Sequence, residues 1–197
     1  MNKTYCVFGD SVTQAAYVRN SWVDLLKTDL EEKFQDDFVN VFNLGVDGNT
    51  TNDILARFEN ESTARIPTSI IFAVGVNDSA YIQSLSSPIT EEKMFEFNLT
   101  KLVALAVQFS KDITFVGLVL GDDSTLKPLP GGAENYEWSY DKKRTENYNN
   151  IQKTVVRSRN CKFIQLLDKL NPDDFQDGLH PNEQGHRKMY KIIKKYF

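Results

Sequence analysis

The chain has 197 residues, 41% of them hydrophobic and 25% charged, with a net charge of −4, which suits one soluble globular domain spanning residues 1–197. The acidic balance offers no basic stripe for nucleic acid, and the longest apolar runs, residues 70–76 and 115–120, are far shorter than the ~20 residues of a membrane span. Met1 leads straight into a strand pattern without secretory features, and the two cysteines, Cys6 and Cys161, lack metal spacing, so a cytoplasmic protein with reduced thiols is expected.

The first apolar strand, residues 5–8, runs into Gly9-Asp10-Ser11, turn chemistry that brings a serine out of the strand towards the next helical segment. Thr13 stands two residues on, so this is not the G-x-S-x-G elbow of the α/β-hydrolases. Ser21 then caps a helix with Trp22, Leu25, Leu26 and Leu30 on one face and Asp24 set for a capping box. A second strand, 38–42, precedes Asn43-Leu44-Gly45-Val46-Asp47-Gly48. Asp47-Gly48-Asn49 suits a plain turn, and Gly48, lacking a Cβ, can also bring its backbone N–H close to a ligand. The third strand, 69–74, ends in Gly75-Val76-Asn77-Asp78, where Asn77 offers a side-chain amide and the pair could equally cap a helix.

Thr90, followed by Glu91 and Glu92, opens a helix that turns Leu99, Leu102, Val103 and Ala106 inward. After a fourth strand, 113–120, residues 121–147 break the rhythm with Pro128, Pro130, Gly131 and Gly132, then Tyr136, Trp138 and Tyr140. A loop this long is either a surface excursion or a functional element, here a flap whose aromatics would line a substrate site together with Tyr17. Tyr148, Ile151 and Val155 mark a further helix, and residues 163–166 a fifth strand. Asp177-Gly178-Leu179-His180-Pro181 follows, and Asn182 caps a final helix with Met189, Ile192, Ile193, Tyr196 and Phe197 inward. Its opposite face, Arg187, Lys188, Lys191, Lys194 and Lys195, reads as solvated.

Continuous apolar strands alternating with helices predict a parallel sheet covered on both faces, a three-layer α/β/α sandwich. Such sheets bind ligands beyond the carboxyl ends of their strands. Each of the four motifs follows a predicted strand, so all should gather at one sheet edge.

Together they carry the parts of a hydrolytic site. An acid three residues before a histidine lets both side chains reach one point, and a serine nucleophile needs such a pair. Ser11 is the candidate nucleophile, His180 the base and Asp177 its orienting acid. The backbone N–H groups of Ser11 and Gly48 and the Asn77 amide are candidate oxyanion donors. His186 reads as structural or solvated, and two histidines with five intervening residues match no common metal spacing, so no metal and no cofactor is expected.

On these blocks the chain resembles the SGNH (GDSL) hydrolase family over its whole length. The resemblance implies a flavodoxin-like five-stranded parallel sheet of order 2-1-3-4-5. It also implies metal-independent ester or thioester hydrolysis, with the same residues forming catalytic triad and oxyanion hole. The expected activity is a serine esterase acting through an acyl-enzyme on a small-molecule ester. Small acyl groups are expected because no long apolar groove is evident. The alternatives are a carbohydrate O-acetyl esterase, or a binding module that keeps the fold without turnover.

Overall fold

A computed structural model describes residues 2–120 and 138–197. Tyr136 and the first part of the expected flap lie outside the described residues. In chain order the elements begin with β1 (Asn2–Gly9), the single turn α1 (Ser11–Gln14), α2 (Trp22–Lys33), β2 (Phe38–Gly45), α3 (Thr51–Arg65) and β3 (Ser69–Ala73). There follow β4 (Tyr81–Ile82), β5 (Ser87–Pro88), α4 (Glu92–Ala106), β6 (Asp112–Val116), β7 (Trp138–Ser139), α5 (Lys142–Ser158), β8 (Lys162–Ile164) and α6 (Glu183–Ile193).

Five strands form one parallel sheet in the order β2-β1-β3-β6-β8, which is the expected 2-1-3-4-5 arrangement. Strand order reverses at β1, so the crevice for a ligand opens beyond the carboxyl ends of β1 and β3. Side-chain alternation explains why these strands read as unbroken apolar runs. Cys6 and Phe8 point to one face, among Phe58, Phe72, Leu99, Leu102, Phe115 and Tyr148 under α3, α4 and α5. Tyr5 and Val7 point to the other, among Trp22, Leu26, Leu30, Ile71, Met189 and Ile193 under α2 and α6.

Several boundaries differ from expectation, each for a local reason. Strand β6 ends at Val116 rather than at 120 because its neighbour stops at Ile164. Beyond it the Gly117 N–H goes to the Ile164 carbonyl, and the Leu118 N–H to the Asn149 side chain at 3.1 Å. The irregular stretch expected to reach 147 ends sooner. Trp138–Ser139 pairs with Tyr81–Ile82 in a small antiparallel sheet, β5-β4-β7. Asp141 then caps α5 by accepting the Arg144 N–H at 2.8 Å. The first turns of α5, 142–147, went unread because only Thr145 of them is buried. Further along, the Tyr148 hydroxyl donates to the Thr90 carbonyl, Asn149 holds Leu118, and Gln152 donates to the Val74 carbonyl. Helix α4 starts after Glu91, one residue later than expected, and Glu91 makes no side-chain cap. Helix α3 was not anticipated; the Asp53 carboxylate accepts both the N–H and the hydroxyl of Thr50 at its start.

Gly45 shows how tightly the loops beyond β1 and β2 meet. A Cβ there would lie 2.1 Å from the Gln14 backbone nitrogen and 2.7 Å from the Thr13 carbonyl carbon, a contact no rotamer change relieves. Gly45→Ala is expected to destabilise the fold by about 3 kcal/mol, at the upper end of overpacking effects. A thermal melt should show a loss of roughly 6–12 °C for a chain of this size. A melting temperature within 2 °C of the parent would contradict the fit.

Candidate active site

Four loops converge beyond the carboxyl ends of β1, β2 and β3. Strand β1 delivers Ser11 at the first position of α1, a turn held by the Asp10 carboxylate, which accepts the Val12 N–H at 3.0 Å. Burial pushes the Asp10 carboxyl up to about 7, against the pull of that bond. The Trp22 indole N–H donates to the Val12 carbonyl and ties the turn to α2.

His180 arrives from the far end of the chain. The turn carrying it is pinned by a Phe175–Pro181 bridge and by the Asn182 N–H donating to the Asp174 carbonyl at 2.8 Å. Within the turn, Asp177 Oδ1 accepts the N–H groups of Leu179 and His180 at 3.0 and 2.7 Å. Its Oδ2 lies 2.6 Å from His180 Nδ1. Burial opposes ionisation of Asp177, but the bonds from the His180 ring and backbone outweigh it and hold the carboxyl below its ordinary value. An ionised Asp177 only accepts, so the proton on the imidazole sits at Nδ1 and Nε2 is left as an acceptor. Ser11 Oγ stands 3.0 Å from that Nε2. The three expected triad residues are therefore in one hydrogen-bonded line.

The expected oxyanion donors stand beside them. Gly48 adopts a φ of 74°, a left-handed conformation that a Cβ would strain. Neither its N–H nor that of Ser11 is bonded to another backbone group among the described residues. Asn77 is almost fully buried. Its Nδ2 donates one hydrogen to the Asn49 carbonyl at 3.1 Å, and its Oδ1 accepts the Tyr140 hydroxyl at 2.8 Å. These two bonds fix which end of the amide is nitrogen and leave the second N–H for the cleft. Asp78, next along, does cap a helix: its carboxylate accepts the N–H and hydroxyl of Thr51 at the start of α3. Burial pushes it up to about 6, against those bonds.

Ser11, Gly48, Asn77 and His180 line one open cleft of about 350 Å³ with Tyr17, Asp47, Trp138, Tyr140, Gln176 and Leu179. Tyr17 and Trp138 thus stand where the sequence placed them. Tyr140 also borders the cleft, but it is 1% exposed and its hydroxyl serves Asn77, so its part is to orient the amide rather than to form a broad wall. Asp47, Gln176 and Leu179 were missed, although they sit inside or beside the motifs. Arg57 was missed as well. From α3 it donates to the Asn49 side chain at 3.0 Å and the Leu44 carbonyl at 2.7 Å, with a longer bond of 3.4 Å to the Gly9 carbonyl. It thereby clamps the loops carrying Gly48 and Ser11. A lone arginine on an unrecognised helix gave no signal of this. His186 is wholly buried, in keeping with a structural residue.

Residues 7–188 match the model of a family described as "GDSL-like Lipase/Acylhydrolase family". Among solved structures, LAE5, an alpha/beta hydrolase enzyme from the metagenome of Lake Arreo, Spain, is similar at a TM-score of 0.78 and 20% identity, over 98% of this chain and 94% of that one. Axe2, an acetylxylan esterase from Geobacillus stearothermophilus, gives 0.76 and 18%, over 98% and 93%. The lipase/acylhydrolase from Enterococcus faecalis gives 0.74 and 22%, over 98% and 94%. At such identities the likeness is one of fold. No protein with a curated description matches the sequence.

Proposed function

The chain belongs to the GDSL-like lipase/acylhydrolase family and is an ester-hydrolysing enzyme, and on that footing we propose that it is a serine esterase working through an acyl-enzyme on esters of small acyl groups. The observation that carries this reading is the Ser11–His180–Asp177 line, with separations of 3.0 and 2.6 Å, at the floor of an open cleft. Two variants of the Geobacillus esterase, described as catalytic mutants of that protein, replace a serine and a histidine.

His180 Nε2 takes the Ser11 hydroxyl proton as Oγ attacks the ester carbonyl. Charge develops on the carbonyl oxygen, where the N–H groups of Ser11 and Gly48 and the free Asn77 N–H can meet it. Asp177 holds Nδ1–H and stabilises the imidazolium. The proton on Nε2 then passes to the departing alcohol as the C–O ester bond breaks. Water repeats the sequence on the acyl-enzyme and restores Ser11. No metal or cofactor enters any step. A fluorophosphonate probe tests the proposal: covalent labelling mapped to Ser11 is the expected result, and a folded protein that stays unlabelled rules the mechanism out.

Asn77→Ala is expected to keep fluorophosphonate labelling while losing about 10²–10³ in kcat, the usual effect of deleting one oxyanion donor. Turnover within threefold of the parent would remove Asn77 from the oxyanion hole.

On the small-acyl reading, acetyl to butyryl p-nitrophenyl esters should give higher kcat/KM than palmitoyl esters. The reverse order would refute the small-acyl reading. A second reading, removal of acetyl groups from carbohydrates, is favoured by Trp138 beside the polar Asp47 and Gln176 on the same cleft. An indole suits stacking on a sugar, and these side chains suit its hydroxyls. Acetylated xylose run beside p-nitrophenyl acetate distinguishes the two. The two free thiols, Cys6 and Cys161, support a reducing, cytoplasmic setting for either.

A further inference from the structure

Tyr17 on the cleft wall and His186 behind it are used by nothing in the proposed chemistry. Buried His186 accepts the Trp22 backbone N–H at Nδ1, at 3.3 Å. That bond leaves Nδ1 without a proton, so the neutral ring carries its proton on Nε2. Nε2 lies 3.3 Å from the Tyr17 hydroxyl and donates to it. Burial pushes His186 down to about 4, so the ring stays neutral at ordinary working pH. The Tyr17 ring in turn stands edge-on to His180, with centroids 5.2 Å apart and planes at 65°.

His180 needs such a wall. Asp177 holds its ring through one atom, Nδ1, and a ring held at one atom can tilt about that bond and carry Nε2 away from Ser11. Tyr17 comes from residues 15–20, an irregular stretch between α1 and α2 with little regular hydrogen bonding of its own. Its hydroxyl is tied instead to α6, the helix that begins three residues after His180. The wall and the imidazole it touches are therefore anchored to the same short stretch of chain, 180–186, and keep their spacing if that stretch shifts.

We infer that Tyr17 and His186 are a positioning pair for the proposed base, His186 holding the Tyr17 ring in place and Tyr17 keeping the His180 imidazole aligned on Ser11. The inference rests on the serine esterase reading above. Neither residue exchanges a proton with substrate; both act through His180.

Kinetics on p-nitrophenyl acetate for Tyr17→Phe, His186→Leu, His186→Gln and the Tyr17→Phe/His186→Leu double variant, each beside a thermal melt, test it. His186 does not line the cleft, so a purely structural role predicts a lower melting temperature with kcat per folded enzyme unchanged. The positioning role predicts a fall in kcat of about ten- to hundredfold in His186→Leu, the scale of a modest misplacement of a reacting group, with KM within about twofold. His186→Gln, whose amide N–H can replace the Nε2–H donor, should recover much of that loss. Tyr17→Phe keeps the ring but loses its tether, and should lose kcat by a similar factor. The double variant should lose little more than either single one, because both break the same link. If the leucine variant does not fold, Tyr17→Phe and His186→Gln decide the matter by the same criteria. A parent labelled by fluorophosphonate whose Tyr17→Phe and His186→Leu variants keep kcat within twofold overturns the pair alone. Losses that multiply in the double variant also overturn it. An unlabelled parent overturns the esterase mechanism and the pair together.

Discussion

Ser11→Ala is expected to lower kcat by about 10⁴–10⁶, the range seen when a triad nucleophile is removed and only binding and oxyanion donors remain. The loss should be confined to chemistry. The Ser11 side chain bonds only to His180 among the described residues, and alanine is a good first residue for the turn that Asp10 caps. Far-UV circular dichroism and the melting temperature should match the parent. Turnover of p-nitrophenyl acetate within tenfold of the parent, from a protein free of wild-type contamination, would remove Ser11 as nucleophile.

The second large effect belongs to Asp177→Asn, expected to cost about 10⁴ in kcat with little change in stability. Asparagine can keep Oδ1 as acceptor for the Leu179 and His180 N–H groups, so the turn survives. Its amide nitrogen would then face Nδ1 as a donor and drive the imidazole proton to Nε2. That tautomer cannot accept from Ser11. Asp177→Ala removes the turn bonds as well, so it should lose both activity and melting temperature. A comparison of the two separates tautomer control from loop structure. Activity of Asp177→Asn within tenfold of the parent would show that the 2.6 Å contact has no such role.

The sheet and the candidate site were legible together. Strands buried on both faces need unbroken apolar runs, and the polar motifs that punctuate such runs mark the loops at their carboxyl ends. Gly9-Asp10-Ser11 and Gly75-Val76-Asn77-Asp78 stood out on that account. What stayed hidden was held by contacts that have no sequence period. Asn149 and Gln152 on the buried face of α5 hold backbone just beyond β6 and β3, contacts its apolar spacing did not announce. Arg57 clamps the Gly9, Leu44 and Asn49 positions from 48, 13 and 8 residues away. The link from His186 to Tyr17 spans 169 residues. No local pattern encodes such pairings. Asn77 and Asp78 were half legible: Asp78 bonds to the start of α3, 27 residues back, and Asn77 faces the cleft as the oxyanion reading requires.

Ser11 and the histidine that meets it are also 169 residues apart, the first at the start of α1 and the second just before α6. A ribosome adding roughly 5–20 residues per second exposes Ser11 some ten to thirty seconds before it finishes the segment bearing His180. During that interval β1 gains its two neighbours, β2 and then β3, while its serine has no His180 beside it. On the proposed mechanism, Ser11 gains its base only once the segment bearing His180 has been added and folded. On that mechanism, a chain cut before His180 would carry the serine without its base.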